Sequence, residues 1–394
     1  MSKTKDYRPE IIGQMYSALT TKEIPGTFSM TLQLKEPIDP VFLQRALDDL
    51  VKRLPFINVD LKKGFFWFYH KQRDDKLLIE TPDNPRQASF RVIHDNDHVT
   101  LEIMHMVTDG RGASKIFTAF FIRYFELKGA DISKAGYIDC DEPLDPEEIE
   151  DAYSRYYDKK VKKGNPRVKN AFKSDSPKLG HMQLATHRFD LEELKAKAQK
   201  YEATVNEYIL ACIFKATAEL KANQPDNKTA AHPVTALMPF DCRGYFRSKT
   251  LHNFTSGIHI LAPQSDDMHE MVAHVRKNFE RINKGWIQRD ICLLKKMFVF
   301  MNFIPLVFKK GILRMFEKVN ASCTSFMFSN VGRVKMPREL ENKIVTMDLA
   351  MKCNPSPPHA FISATLGNTL SLSIKSVVND PEMFQRTVDT ILGG

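Results

Sequence analysis

A strand pattern and a helix pattern meet abruptly near residue 105, and no other feature constrains the fold of this chain as much. Ser89–His94 and His98–Met104 alternate apolar and polar side chains on either side of Asp95-Asn96-Asp97, as two strands joined by a turn do. Beyond the junction, apolar residues fall at 113, 116, 117, 120, 121 and 124, one face of a helix predicted over 113–127. The six residues His105-Met106-Val107-Thr108-Asp109-Gly110 therefore sit where a strand ends and a helix begins.

The same mixture recurs on both sides of a long polar stretch. Residues 26–34 alternate as a strand, Pro37-Ile38-Asp39-Pro40 breaks it, and Phe42, Leu43, Ala46, Leu47, Leu50 and Leu54 form the apolar face of a helix ended by Pro55. Short strands are expected around 57–61 and 65–70. From Lys128 to Gly180 few apolar residues recur at a useful period, and an acidic run (Asp141–Glu148) precedes a basic one (Lys159–Lys163). This reads as a long connection, partly helical near 149–157, and as the domain boundary. After it come a strand at 182–189, a helix led by Asp190, and a helix capped by Thr204 with Glu207 three residues on. Strands at 232–238 and 254–262, helices at 267–283 and within 286–318, strands near 324–329, 345–349, 359–366 and 369–376, and a last helix after Pro381 complete the pattern. The chain of 394 residues is long for one core and comfortable for two. The fold class is α/β, with halves at 1–165 and 166–394.

Composition narrows function more by exclusion than by choice. Hydrophobic residues make up 43% and charged residues 27%, a balance that supports a folded globular chain rather than disorder. The net charge of +9 is scattered, so it could favour a phosphorylated cofactor, an acidic carrier protein or an anionic membrane without selecting one. No zinc-finger spacing, RNP-like aromatic motif or recognition helix points to nucleic acid. The six cysteines (140, 212, 242, 292, 323 and 353) include no CxxC pair, and no HExxH motif appears, so no metal is expected. Gly-rich phosphate loops are missing as well. The polar N-terminus has no apolar segment of signal-peptide type, and the run Met297–Phe308 is far shorter than the ~20 residues of a bilayer span. A cytoplasmic location with reduced thiols follows as the expectation.

His105 has two readings at this point. An imidazole that titrates near neutrality, held at a sharp turn, suits a general base that takes a proton from an attacking hydroxyl or amine. A histidine at a strand end can equally be buried and close one structural hydrogen bond. Asp109, four residues on, could orient the ring, but a carboxylate beyond a tight turn is better placed to pair with a cation and lock the loop. Gly110 would then allow unusual backbone angles and the close approach of another segment.

The spacing of these landmarks resembles the chloramphenicol-acetyltransferase-like superfamily, which includes BAHD acyltransferases, condensation domains and the alcohol acetyltransferase group. The HxxxDG segment carries the resemblance, with Gly26-Thr27-Phe28 and Arg53-Leu54-Pro55-Phe56 before it. After it come Met238-Pro239-Phe240-Asp241-Cys242-Arg243, Leu251-His252-Asn253-Phe254 and Phe328-Ser329-Asn330-Val331-Gly332. The resemblance implies two similar mixed-sheet halves with a tunnel between them and His105 at its middle. It further implies that Asp109 pairs with Arg243 of the second half, and that Ser329 and Asn330 lie near the reaction centre. By extension, Ser329 contributes to substrate binding and Asn330 is a candidate donor to the oxyanion.

Two departures sharpen the comparison. Met104 stands where condensation domains carry a first histidine, and the DFGWG loop of plant-type BAHD enzymes is missing. The alcohol acetyltransferase-like branch is therefore the one resembled. It implies an acyl-CoA-dependent O-acyltransferase with no permanently bound cofactor, coenzyme A thioester as donor, and a small or lipophilic alcohol as acceptor. An acyl carrier protein donor, an amine acceptor, or a non-catalytic binding role are the alternatives. Finally, Lys295-Lys296, Lys309-Lys310 and Arg314 bracket an apolar segment, which reads either as a substrate-mouth helix touching an anionic membrane or as a core helix with a solvated end.

Overall fold

A computed structural model of the chain describes residues 6–20, 26–82, 88–166, 168–352 and 357–393; residues 1–5 of the N-terminus and Cys353 lie outside the described residues. The first elements are Asp6–Tyr7 (β1), Ile11–Leu19 (α1), Thr27–Leu34 (β2), Pro40–Arg53 (α2), Val59–Lys63 (β3), Phe68–Gln72 (β4), Phe90–Asp95 (β5), His98–Met104 (β6) and Gly110–Leu127 (α3). Asp39 caps α2 by accepting the Val41 N–H at 2.9 Å, and Pro40 occupies a first-turn position where its missing N–H costs nothing. Phe28, Met30, Leu32 and Leu34 of β2 face Leu43, Leu47 and Leu50 of α2 and Ile116, Phe117, Phe120 and Phe121 of α3 in one buried cluster. Each such side chain contributes roughly 1.5–3 kcal/mol by leaving water, so burial rather than helix propensity holds this layer together.

The remaining elements are Ala152–Arg155 (α4), Lys178–Asp190 (β7), Leu191–Gln199 (α5), Val205–Ala222 (α6), Thr235–Asp241 (β8), Arg243–Phe246 (α7), Thr255–Leu261 (β9), Met268–Phe279 (α8), Lys284–Met301 (α9), Leu306–Ser322 (α10), Phe326–Arg333 (β10), Arg338–Glu341 (α11), Ile344–Lys352 (β11), His359–Leu366 (β12), Thr369–Val378 (β13) and Pro381–Gly393 (α12). Six strands form a sheet in the order β7-β13-β12-β10-β8-β9, with β10 parallel to both β8 and β12. Thr204 and Glu207 form the expected capping box on α6, whose Tyr208, Ile209, Cys212 and Phe214 pack in the second buried cluster.

Three placements go beyond the reading of the chain. Although it lies late in the sequence, β11 hydrogen-bonds to β2 along its length, Leu349 opposite Met30 and Met351 opposite Phe28, giving a four-stranded sheet β11-β2-β6-β5. Periodicity locates a strand but carries no information about its partner. The range 286–318 holds two helices, α9 and α10, because Pro305 cannot donate a backbone hydrogen bond. The connection over 128–180 is anchored to both halves. Buried Arg53 pairs with Glu148 at 2.8 Å, Leu251 N–H donates to the Glu148 carbonyl at 2.6 Å, and buried Tyr153 donates to the Thr255 carbonyl at 2.6 Å. The polar run ties the two halves together.

Candidate active site

His105 leaves the sheet as β6 ends, its N–H bonded to the Gly26 carbonyl at 2.7 Å. The ring is buried, stacked on Tyr16 at 3.6 Å between centroids with 18° between planes, and flanked by Phe28 at 4.4 Å. Tyr16 belongs to α1, a helix the sequence reading did not identify. Burial pulls the pKa of His105 down to about 4, against the opposing pull of Asp109, the nearby carbonyls of His105 and Thr108, and Asn253. The imidazole is therefore neutral at pH 7, the form that can accept a proton. Its Nδ1 is buried without a hydrogen-bond partner among the described residues, so no carboxylate completes a triad with it.

Asp109 is occupied elsewhere. Its Oδ1 caps α3 by accepting the N–H groups of Arg111 at 3.1 Å and Gly112 at 2.9 Å, and its Oδ2 accepts the Phe254 N–H at 2.8 Å. Arg243 Nη2 donates to both oxygens, at 3.1 and 3.0 Å, across a sequence gap of 134 residues. The same guanidinium reaches the Thr250 carbonyl at 2.7 Å, the His252 carbonyl at 2.6 Å and Asp241 Oδ1 at 2.7 Å. Burial alone would raise the Asp109 pKa, but Arg243 and the two buried N–H donors hold it below the usual carboxylate range. Its role in this geometry is to hold the turn.

Residues 250–254 of the second half complete the clamp. Asn253 Nδ2 donates to the His105 carbonyl at 3.0 Å, His252 Nδ1–H to the Val107 carbonyl at 3.0 Å, and the Thr108 hydroxyl to the Leu251 carbonyl. The close approach expected at Gly110 occurs at Gly112 instead. A Cβ on Gly112 would meet Thr108 Oγ1 at 2.1 Å and the Leu251 carbonyl at 2.3 Å, whereas one on Gly110 would meet only Val331 Cγ2 at 3.6 Å. Gly110 has no positive φ either. It starts α3 and lines the cavity beside His105.

That cavity, about 380 Å³, lies between the halves. Tyr16, Phe28, His105 and Gly110 line it from the first half, and Thr255, Ser256, Met327 and Ser329 from the second. On β10 the side chains alternate, so Met327 and Ser329 face the cavity while Phe328 enters the second core. Asn330 is exposed, donating to Asn206 Oδ1 at 3.0 Å and accepting the Gly332 N–H at 2.8 Å. This corrects the expectation of an oxyanion donor there: adjacent strand residues point to opposite faces, so Ser329 and Asn330 cannot both reach the centre.

Sequence reasoning also missed polar groups on the far cavity wall. His259 Nε2 lies 3.1 Å from Thr324 Oγ1, the Ser256 hydroxyl donates to Asp290, and Lys375 is buried. Spread over β9, α9, the link between α10 and β10, and β13, they share no local motif. Among the described residues no cluster of three or more His, Cys, Asp or Glu could hold a metal ion, and no helix is long and apolar enough to cross a membrane.

No protein-family model matches this chain, and no curated protein does. Solved structures do match over nearly its full length. It is similar to polyketide synthase associated protein 5 from Mycobacterium tuberculosis (TM-score 0.66, 13% identity, 98% of this chain and 97% of that one). TRI3 trichothecene 15-O-acetyltransferase from Fusarium sporotrichioides gives a TM-score of 0.65 at 10% identity (98% and 94%). TRI101 of F. sporotrichioides, solved with coenzyme A and T-2, gives 0.65 at 14% identity (97% and 96%).

Proposed function

We propose that this chain, which has the two-lobed fold of the chloramphenicol-acetyltransferase-like superfamily, is an acyl-CoA-dependent O-acyltransferase with His105 as its general base. The observation that carries the reading is a neutral imidazole lining a cavity between the halves, on a turn that both halves clamp. The coenzyme A complex of TRI101 supports a thioester donor, and the O-acetyltransferase TRI3 supports a hydroxyl acceptor.

In this mechanism both substrates meet at His105 in one ternary complex, through a passage open at two mouths. As the acceptor oxygen attacks the thioester carbonyl, His105 takes its proton and the new C–O bond forms. The tetrahedral oxyanion then collapses, the C–S bond breaks, and the imidazolium returns the proton to the leaving thiolate. No covalent acyl-enzyme is involved. Ser329, the polar side chain of β10 that faces the cavity, replaces Asn330 as the candidate oxyanion donor. Asp109 and Arg243 act by position: they hold the turn that aims His105.

Release of free thiol from acyl-CoA, across a panel of alcohols and amines, tests the reading. His105→Ala should lower turnover by about 10²- to 10⁴-fold while leaving the melting temperature near that of the parent. Near-normal turnover in the variant would overturn the mechanism, and a wild-type chain inert across the panel would favour a binding role. Acyl carrier protein thioesters in the same assay separate the two donor classes.

A further inference from the structure

The corner between α9 and α10 exposes aromatic side chains that no described residue covers. Phe303 is 84% exposed, Val307 80%, Phe300 72% and Phe308 68%. The β3–β4 loop extends this surface with Phe65, 72% exposed, whose carbonyl accepts the Leu306 N–H at 2.8 Å. Buried Lys309 locks loop to helix, donating to the Phe66 carbonyl at 2.6 Å and lying 3.2 Å over the Trp67 ring. The aromatic groups thus stand on a braced platform.

Cations surround them. Between Ile291 and Ser322 the sequence carries six Lys or Arg and one acid, Glu317, which lines the cavity instead. Lys63, Lys310, Arg314 and Lys318 form no ion pair among the described residues. Burial, then repulsion from Lys63 and Arg314, lowers the Lys310 pKa, so these three charges share one neighbourhood. An exposed apolar patch ringed by unpaired positive charge matches a surface that is apolar within and anionic at its face. A second copy fits less well, because a two-fold contact would set Lys63, Lys310 and Arg314 against their own counterparts.

We infer that the α9–α10 corner and the Phe65 loop form a docking surface for an anionic lipid bilayer, into which Phe300, Phe303 and Phe308 insert. The helix that carries the patch also walls the cavity: Phe316 and Val319 line it, and Val319, half exposed, lies ~16 Å along α10 from Phe308.

Co-sedimentation of the whole chain with vesicles of phosphatidylcholine, alone or with about one third phosphatidylglycerol, tests this without any substrate. The chain should sediment with the anionic vesicles at low salt and be released by high salt. K63E/K310E/R314E should bind about 100-fold more weakly, and F300S/F303S/F308S should stay in the supernatant, both with unchanged melting temperature. Equal or no binding to the two vesicle types, or binding indifferent to both triple variants, overturns the proposal. So does a monomer–dimer equilibrium, in the absence of lipid, that F300S/F303S/F308S abolishes. Should that variant melt early, the charge-reversal variant still decides.

Discussion

The turn at 105–112 and the corner at 299–308 invert the usual rule of burial in opposite senses. The first buries an imidazole, a carboxylate and a guanidinium; the second leaves five large apolar side chains in water. In the turn, Asp109 and Arg243 satisfy one another and five backbone groups in their vicinity, so the desolvation cost is offset within the protein. At the corner no group in the described chain offsets the exposure of Phe300 or Phe303. An internally compensated anomaly is a structural device, and an uncompensated one points outward to a partner. His105 lies between these cases, since its ring is enclosed but its Nδ1 has no partner among the described residues.

Removing compensation from the turn should have the largest effect on stability. Arg243→Ala leaves a buried carboxylate unpaired and is expected to cost about 3–5 kcal/mol. Denaturant unfolding of the single variants and of Arg243→Ala/Asp109→Ala checks it: the double variant should lose much less than the sum. Strict additivity would break the contrast between the two regions.

The pH dependence of His105 comes next. Its pKa is about 4 in the folded chain and near 6.5 when unfolded, so the unfolded state binds more protons between those values. Its stability contribution is complete above about pH 6.5 and is lost as pH falls toward 4, by roughly 3 kcal/mol at most. His105→Gln should flatten that slope in pH-dependent unfolding curves. The acid limb of kcat/KM in the parent should likewise fall near pH 4 rather than 6.5, and a limb at 6.5 would show that the ring is hydrated in the working enzyme.

Two neighbouring glycines offer a finer test. Gly112→Ala forces backbone apart at Leu251 and should destabilise by about 1–3 kcal/mol, whereas Gly110→Ala meets only Val331 at van der Waals distance and should melt like the parent. Thermal unfolding of the pair is sufficient. The smallest expected effect belongs to the corner: Phe303→Ser should change unfolding free energy by no more than about 0.5 kcal/mol, because the side chain has little packing to lose. A large loss would mean that the exposed face is a core element in solution.

Much of this architecture is legible in residues close together in the chain. The alternation of His98–Met104 and the stripe from Ala113 to Tyr124 appear as β6 and α3, and Thr204 with Glu207 caps α6. The placements of Asn330 and Gly110 were not legible. Period two says that Ser329 and Asn330 face opposite ways, but which of them faces the cavity depends on how the sheet is covered. Gly112 is needed because Leu251 arrives from 139 residues away, which no local pattern announces. Tyr16 escaped notice for the same reason: its helix matters through the ring it stacks on.

Read alone, then, the amino-acid order determined which segments extend, which coil, and where an imidazole falls between them, since backbone preference and side-chain periodicity act over a few residues. Only the packed molecule decided that β11 joins the first sheet, that Arg243 occupies Asp109 and leaves His105 without a carboxylate partner, and which hydroxyl faces the cavity. Those outcomes depend on groups separated by tens to hundreds of residues, brought together by burial of surfaces that carry no address for one another.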